Sequence, residues 1–385
     1  MKRITSLIFT LLFLLSACLP CLSSCTQAEN SSESNGENES MTYDFESLTQ
    51  NAPEVATDIF RNYMPDAADE PEYEVLSSET VTASGEGCDV ILSRLLVDLM
   101  DNGVYTIVAH PVEEGIYPAV IFIHGAGGTA DDYRNTVIAA AREGFIAVSY
   151  EQPSIASTDC TSTGAWKTDG SYKYDFNGDP YEAPMYAAVA AGLTVFKGLY
   201  ENSFILDARG YYSDGVCVDT DKIGINGISY GGYMTTFLTA LLGDYVDTAV
   251  AKFITGNYFE SEYFWGRMGQ YIADEDMRTL FCRYFDPLYY ADGVTAKFFT
   301  VGAGNDTFGS LPTLISFHNA MTKAERRDFC LAPNANHNLS TLTNGGCAFG
   351  NNGVSMLEWN YLVFGLTGEG TPPTLVTEEI GRAHV

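Results

Sequence analysis

One serine in this chain sits where a hydroxyl can be made nucleophilic. Gly227-Ile228-Ser229-Tyr230-Gly231-Gly232-Tyr233 follows a short apolar run at 222–226 and precedes 234–242, a helical stretch closed by Gly243. Strand, G-x-S-x-G and helix together predict a sharp turn with the serine at its tip. The glycines remove Cβ atoms that would collide with strand and helix, and the helix start behind Ser229 offers N–H groups and a positive dipole end. A serine hydroxyl is a poor nucleophile at neutral pH, so it needs a base, and the base needs an orienting group. There are five histidines. His110 ends an early strand, His124 belongs to a glycine loop, His318 lies mid-helix and His384 falls in a C-terminal segment set aside below. His337 remains, in Pro333-Asn334-Ala335-Asn336-His337-Asn338, just past the last expected strand. The acid is Asp306, which closes Gly302-Ala303-Gly304-Asn305-Asp306, 77 residues after Ser229 and 31 before His337. Singly, each is an ordinary loop residue. Jointly they end near-consecutive strands on one sheet edge, in the order Ser, Asp, His, and acyl transfer through Ser229 is the chemistry they predict.

A tetrahedral intermediate also needs N–H donors for its oxyanion. Tyr230 N–H, at the start of the helix, is one expected donor. The loop His124-Gly125-Ala126-Gly127-Gly128 supplies the other, with Ala126 N–H first and Gly127 second. That loop lacks the lysine and spacing of a phosphate-binding P-loop. Asp175-Phe176-Asn177-Gly178-Asp179 opens like a calcium loop, but Pro180 stands where glycine is wanted and Tyr186 where glutamate is wanted. No metal and no cofactor is expected.

These residues need a frame. Residues 117–123 and 144–150 are apolar enough to be strands buried on both faces, and 129–142 reads as a helix capped by Thr129. Residues 90–99 and 103–109 are split by Asp101-Asn102-Gly103, a hairpin signature. Helices are expected at 54–62, 181–200, 310–322 and 354–364, and further strands at 248–254, 296–302 and 327–332. Strand and helix alternate, so the fold class is α/β, a mostly parallel central sheet with helices on both faces. Two stretches break the alternation. Residues 151–180 are polar and rich in glycine and tyrosine, and 257–293 are dense in aromatics. Both are read as insertions, the second as an aromatic-rich cap, within a catalytic domain at 53–370.

The chain has 385 residues, 46% of them hydrophobic, enough to bury a large core. Lys+Arg 20 against Asp+Glu 50 leaves a net charge of −30, which repels nucleic acid. Lys2 and Arg3 precede an apolar run at 7–15, too short for a spanning helix of about 20 residues, so 1–18 is expected to be an export signal. Leu15-Ser16-Ala17-Cys18 resembles a bacterial lipobox with Cys18 as the lipidated residue. Leu22-Ser23-Ser24-Cys25 is a less well placed candidate. Residues 19–52, rich in Ser, Asn and Glu, suit a flexible tether, which would leave an exported lipoprotein on a membrane facing periplasm or exterior. Of nine cysteines none forms a CxxC pair in the globular part, and Cys160–Cys217 is a candidate disulfide in an exported chain. Residues 379–385 resemble a translated sequencing-adapter read and are set aside.

From His124 to about Phe364 the sequence resembles the α/β-hydrolase superfamily. The elbow Gly227-Ile228-Ser229-Tyr230-Gly231-Gly232-Tyr233-Met234-Thr235 is similar to that of prolyl oligopeptidase-type hydrolases. Asp286-Pro287, the 302–306 loop and Asn336-His337 resemble acetyl xylan esterases and dienelactone-hydrolase-like esterases. The resemblance implies the fold, the Ser-Asp-His roles and an ester or peptide bond as target. About 100 residues precede His124, too few for the propeller of prolyl oligopeptidases, and dienelactone hydrolases proper use cysteine where Ser229 stands. A secreted serine esterase, with deacetylation of a polysaccharide as its suggested use, is therefore the first expectation. A peptidase, a lipid or polyester esterase and a non-catalytic surface binder are the rivals.

Overall fold

The computed structural model describes residues 58–83, 88–164, 174–332, 335–337 and 354–370. The expected export signal with Cys18, the tether at 19–52 and the segment 379–385 lie outside the described residues. Strands β1 (Tyr73–Val81), β2 (Val90–Leu99), β3 (Asn102–Pro111), β4 (Gly115–Ile123), β5 (Ile146–Tyr150), β6 (Val216–Ile228), β7 (Thr248–Lys252), β8 (Lys297–Ala303) and β9 (Arg326–Ala332) form one sheet. Their order across it is β1-β2-β3-β5-β4-β6-β7-β8-β9. From β5 to β9 every pairing is parallel, while β1, β2 and β3 form an antiparallel edge joined to β5. The fold class is as the alternation of elements predicted. Strand β1 is the addition, because its alternation of half-buried and exposed positions carries too little apolar signal to stand out.

The first hairpin turns one residue earlier than its sequence signature suggested. Leu99 pairs with Asn102, so Met100 and Asp101 are the two turn residues, at φ 51° and 60°. Two positive φ values suit the right-handed twist of the strands they join. Asn102 supports the turn from the strand by donating Nδ2–H to Met100 O at 2.6 Å. Cys160 and Cys217, the candidate disulfide, are both free thiols.

Helices cover both faces. They are α1 (Arg134–Arg142), α2 (Pro184–Tyr200), α3 (Tyr230–Leu242), α4 (Glu262–Met268), α5 (Glu275–Phe285), α6 (Leu311–Ala320) and α7 (Met356–Thr367). Side chains alternate along β6 and show which helix owns which face. Gly224 faces Leu362 and Leu366 of α7, and Asn226 faces Glu358 of α7, whereas Gly227 faces Gly231 and Thr235 of α3. Helix α2 is buried almost all round and packs behind α3. Its glycine Gly192 lets Leu238 and Tyr150 approach to where a Cβ would sit.

The aromatic stretch between β7 and β8 holds α4, α5 and a 3-10 segment at Pro287–Gly293. Most of its rings are core. Tyr258, Phe264, Phe281, Phe285, Tyr289 and Tyr290 are buried, and Tyr258 stacks on Tyr233 of α3 at 5.4 Å. Tyr263 and Tyr271 are the exposed exceptions, at 39% and 38%.

Candidate active site

Ser229 is the residue between β6 and α3, with φ 58° and ψ −117°. A non-glycine residue at positive φ is uncommon, and it persists only where its surroundings hold it. They do: Ser229 N–H donates to Lys252 O at the end of β7 (2.9 Å), and Ser229 O accepts Tyr233 N–H (3.1 Å). The flanking glycines are obligatory for close approach. A Cβ on Gly227 would lie 2.1 Å from Gly231 O, and one on Gly231 would lie 2.1 Å from Ile123 O. The collisions expected from the motif, with helix on one side and strand on the other, are therefore the ones the fold would suffer.

Asp306 follows β8 and His337 follows β9. The two loops are tied together by Gly304 N–H to Ala332 O and Asn305 N–H to Ala335 O, each 2.9 Å. His337 Nδ1 lies 2.8 Å from Asp306 Oδ2, and His337 Nε2 lies 2.7 Å from Ser229 Oγ. The Asp306 carboxylate is sealed from solvent, and its other oxygen accepts Phe308 N–H at 2.8 Å. With an acidic partner at Nδ1, the ring carries its proton there and leaves Nε2 as acceptor for the serine hydroxyl. So the three predicted residues, the outer two 108 positions apart, form one hydrogen-bonded line.

The glycine loop lies beside the elbow: the Cβ position of Gly125 is 3.3 Å from Ser229 Cβ. Gly127 N–H, the second-choice donor, is already given to Ile155 O at 2.8 Å, and Gly128 N–H to Gly125 O at 3.1 Å, which corrects the second choice. Ala126 is exposed at the loop tip. Beneath the loop His124 is fully buried. Its Nδ1 pairs with Gly125 O (2.7 Å), its Nε2 accepts Gln152 N–H (3.1 Å), and Gln152 Nε2–H donates back to His124 O (2.6 Å). Burial pushes its pKa down to about 4, so the ring is neutral and serves as a brace for the loop. Its place next to a glycine run was the only sequence signal for that role.

Three further features have roles that the sequence did not show, although Asp286 stood out there beside Pro287 as part of the resemblance. The His337 ring touches both Phe253 and Phe308, with centroids 4.6 Å from each. Lys252 and Glu358 form an ion pair of 2.9 Å at 3% and 1% exposure under the elbow. Asp286 accepts N–H bonds from Asn257 (2.8 Å), Tyr258 (2.6 Å) and Leu288 (3.0 Å), and burial raises its pKa to about 6. Among the described residues no group of three or more His, Cys, Asp or Glu is placed to hold a metal ion, and no helix is long and apolar enough to cross a membrane. The calcium-like stretch is instead a capped turn, with Asp179 accepting Tyr181 N–H at 2.9 Å.

Comparison with known proteins bears on the fold and on the segment that holds the elbow. The prolyl oligopeptidase family model matches residues 186–349, which span the elbow, the acid and the histidine. No curated protein matches the sequence. Among solved structures, acetyl xylan esterase 1 from Thermoanaerobacterium sp. JW/SL YS485 is similar at 16% identity and a TM-score of 0.53, over 77% of this chain and 88% of that one. An acetyl xylan esterase from Paenibacillus sp. R4 is similar at 14% identity and a TM-score of 0.50, over 77% and 89%. At such identities the structural likeness speaks for the fold, and the family match over the segment that holds the elbow speaks for the chemistry. The chain is a serine hydrolase of the α/β-hydrolase fold.

Proposed function

We propose that this protein hydrolyses carboxylic esters through Ser229, His337 and Asp306. The observation that carries the reading is the hydrogen-bonded line from Ser229 Oγ through His337 to Asp306, at 2.7 and 2.8 Å. Ser229 Oγ attacks the ester carbonyl carbon as His337 Nε2 takes the hydroxyl proton. The carbonyl π electrons move to oxygen, and that oxyanion is met by Tyr230 N–H and Ala126 N–H. Collapse of the intermediate expels the alcohol, which receives the proton from His337. Water then attacks the acyl-enzyme with His337 again as base, releasing the acid and restoring Ser229. Asp306 keeps the imidazole in the right tautomer and offsets its transient charge.

Two structural neighbours are named as acetyl xylan esterases, which supports an acetyl ester of a polysaccharide as substrate. The prolyl oligopeptidase match supports a second reading, hydrolysis of a peptide bond by the same residues. A fluorophosphonate probe should form one adduct, on Ser229, that Ser229→Ala abolishes. Turnover of p-nitrophenyl acetate beside an aminoacyl-proline amide then separates esterase from peptidase, and folded protein with no adduct would sink both. We also infer export and lipid anchoring through Cys18, which lies outside the described residues. Incorporation of labelled palmitate in a bacterial host, lost in Cys18→Ala, is the expected result.

A further inference from the structure

The residue under His337 is strained, and the strain has a visible purpose. Phe253, directly after β7, is fully buried at φ 78°, a conformation that a bulky side chain rarely takes. It is held from three sides. Phe253 N–H donates to Val301 O at 2.8 Å, extending the β7–β8 ladder by one bond. Its carbonyl fills the space where Gly309 would carry a Cβ, 1.4 Å from that position. Four residues on, the loop is pinned again by Asp286, which accepts the N–H groups of Asn257 and Tyr258. Asn257 is itself at φ 63° and Gly256 at φ 105°. Strain of this kind costs about 1–3 kcal/mol per residue and survives where the surrounding structure over-determines it.

What the distortion achieves is a ring under His337. Phe253 meets the imidazole at 4.6 Å with a tilt of 32°, and Phe308 meets it at 4.6 Å with a tilt of 47°. Phe308 is in turn fixed twice: its N–H bonds Asp306, the acid that bonds His337, and its ring packs edge-on against Tyr263 at 4.5 Å. Two hydrogen bonds fix where the imidazole nitrogens point along one axis. They leave the ring free to rock about the line joining them, because Ser229 Oγ and Asp306 Oδ2 lie at opposite ends of it.

We propose that Phe253 and Phe308 are positioning residues that clamp the His337 ring, holding its plane on the line between Asp306 and Ser229 and stabilising the imidazolium that forms as the serine hydroxyl is deprotonated. The proposal rests on His337 acting as the base. Aromatic faces attract a cation, and one such contact in a partly desolvated site is worth roughly a tenfold change in rate. The clamp also explains why a strained phenylalanine follows β7, where a residue at ordinary φ would direct its side chain elsewhere.

The test uses the full chain with Phe308→Leu, which keeps apolar bulk at a half-buried position, and Phe308→Tyr, which keeps the ring. With p-nitrophenyl acetate, Phe308→Leu should lower kcat about tenfold with KM changed less than about twofold, and Phe308→Tyr should stay within about twofold of the parent. In the proton spectrum the low-field signal of His337 Nδ1–H, bonded to Asp306, should be sharp in the parent and in Phe308→Tyr and broadened by exchange in Phe308→Leu. Phe253→Leu should do the same where it folds; the Phe308 pair decides the matter without it. Leucine and tyrosine variants alike in kcat and in that signal would overturn the clamp. The spectrum reports the clamp whether or not esters turn over, so its failure is distinct from failure of the esterase reading.

Discussion

Two polar clusters meet at the nucleophile elbow and are built on opposite terms. Above it, Ser229, His337 and Asp306 each stand just beyond the end of a strand, and the His337 side chain is 29% exposed. Below it, Lys252 on β7 and Glu358 on α7 are 3% and 1% exposed and sit on regular elements. Glu358 also accepts Ser355 N–H at 2.7 Å and Asn226 Nδ2–H at 3.5 Å, closing a network among β6, β7 and the start of α7. The two clusters touch through one residue, since the backbone of Lys252 accepts Ser229 N–H while its side chain serves the lower pair. On the proposed reading the groups that meet substrate, Ser229 and His337, stay reachable, while Asp306 behind them is as sealed as the lower pair. The lower charges take no part in the proposed reaction, so they can be sealed. Sealing makes them costly to break, because a buried ion without its partner has neither water nor counter-charge. The upper cluster should therefore govern rate and the lower one stability.

The strongest way to break that division is at Asp306. Asparagine can still accept Phe308 N–H through its oxygen, but its amide N–H would face His337 Nδ1 and favour the tautomer with a proton on Nε2. Asp306→Asn should lower kcat about 10⁴-fold while stability moves by no more than about 1 kcal/mol in denaturant titration. A large loss of stability would instead make Asp306 a structural residue. Lys252→Met is the mirror image. It strands Glu358, so stability should fall by about 3–5 kcal/mol, with turnover per folded molecule little changed. Adding Glu358→Gln keeps the cap on α7, removes the stranded charge and should recover most of the loss. A collapse of turnover in the folded double variant would show that the lower charges act on Ser229 after all. Smaller again is the oxyanion loop. Ala126→Pro deletes one N–H and should cost about 10²–10³ in kcat. Unchanged turnover would remove Ala126 from the site.

The same contrast explains what could be read from the amino-acid order. The elbow was legible because its glycines crowd into one short stretch, although only Gly227 meets a near neighbour, Gly231 O, and Gly231 is forced by Ile123 O from a distant strand. Asp306 and His337 were legible because strand ends on one sheet edge converge. Nothing local marks Lys252 and Glu358, 106 residues apart, as a pair. Nor does a phenylalanine announce a positive φ, which Phe253 owes to Val301, Gly309 and Asp286 beyond its own neighbourhood. The hairpin slipped by one because Asn102 supports the turn from the strand instead of standing within it. Strand β1 was missed because one of its faces is nearly all polar.

The two buried ionisable groups that brace the site loops give the smallest effect, since their contributions oppose one another. His124 holds the glycine loop with a pKa near 4, against an ordinary 6.5, and Asp286 holds the Phe253 loop with a pKa near 6, against 3.8. Below pH 6.5 the unfolded chain protonates His124 and the folded chain does not, so stability falls as pH drops toward 4. For Asp286 the folded chain takes the proton first, so stability rises as pH drops from 6 toward 3.8. Each contribution amounts to about 2–3 kcal/mol between pH 6.5 and 4, and in the parent they nearly cancel. His124→Asn, whose amide can still donate to Gly125 O, leaves Asp286 unopposed. Relative to the parent, its stability should rise by about 2–3 kcal/mol on acidification over that range, read from urea titrations at the two pH values. Asp286→Asn should shift the balance the other way. If the two variants tracked the parent at both pH values, neither group would be held in the neutral, buried state that sets it apart from the Lys252–Glu358 pair.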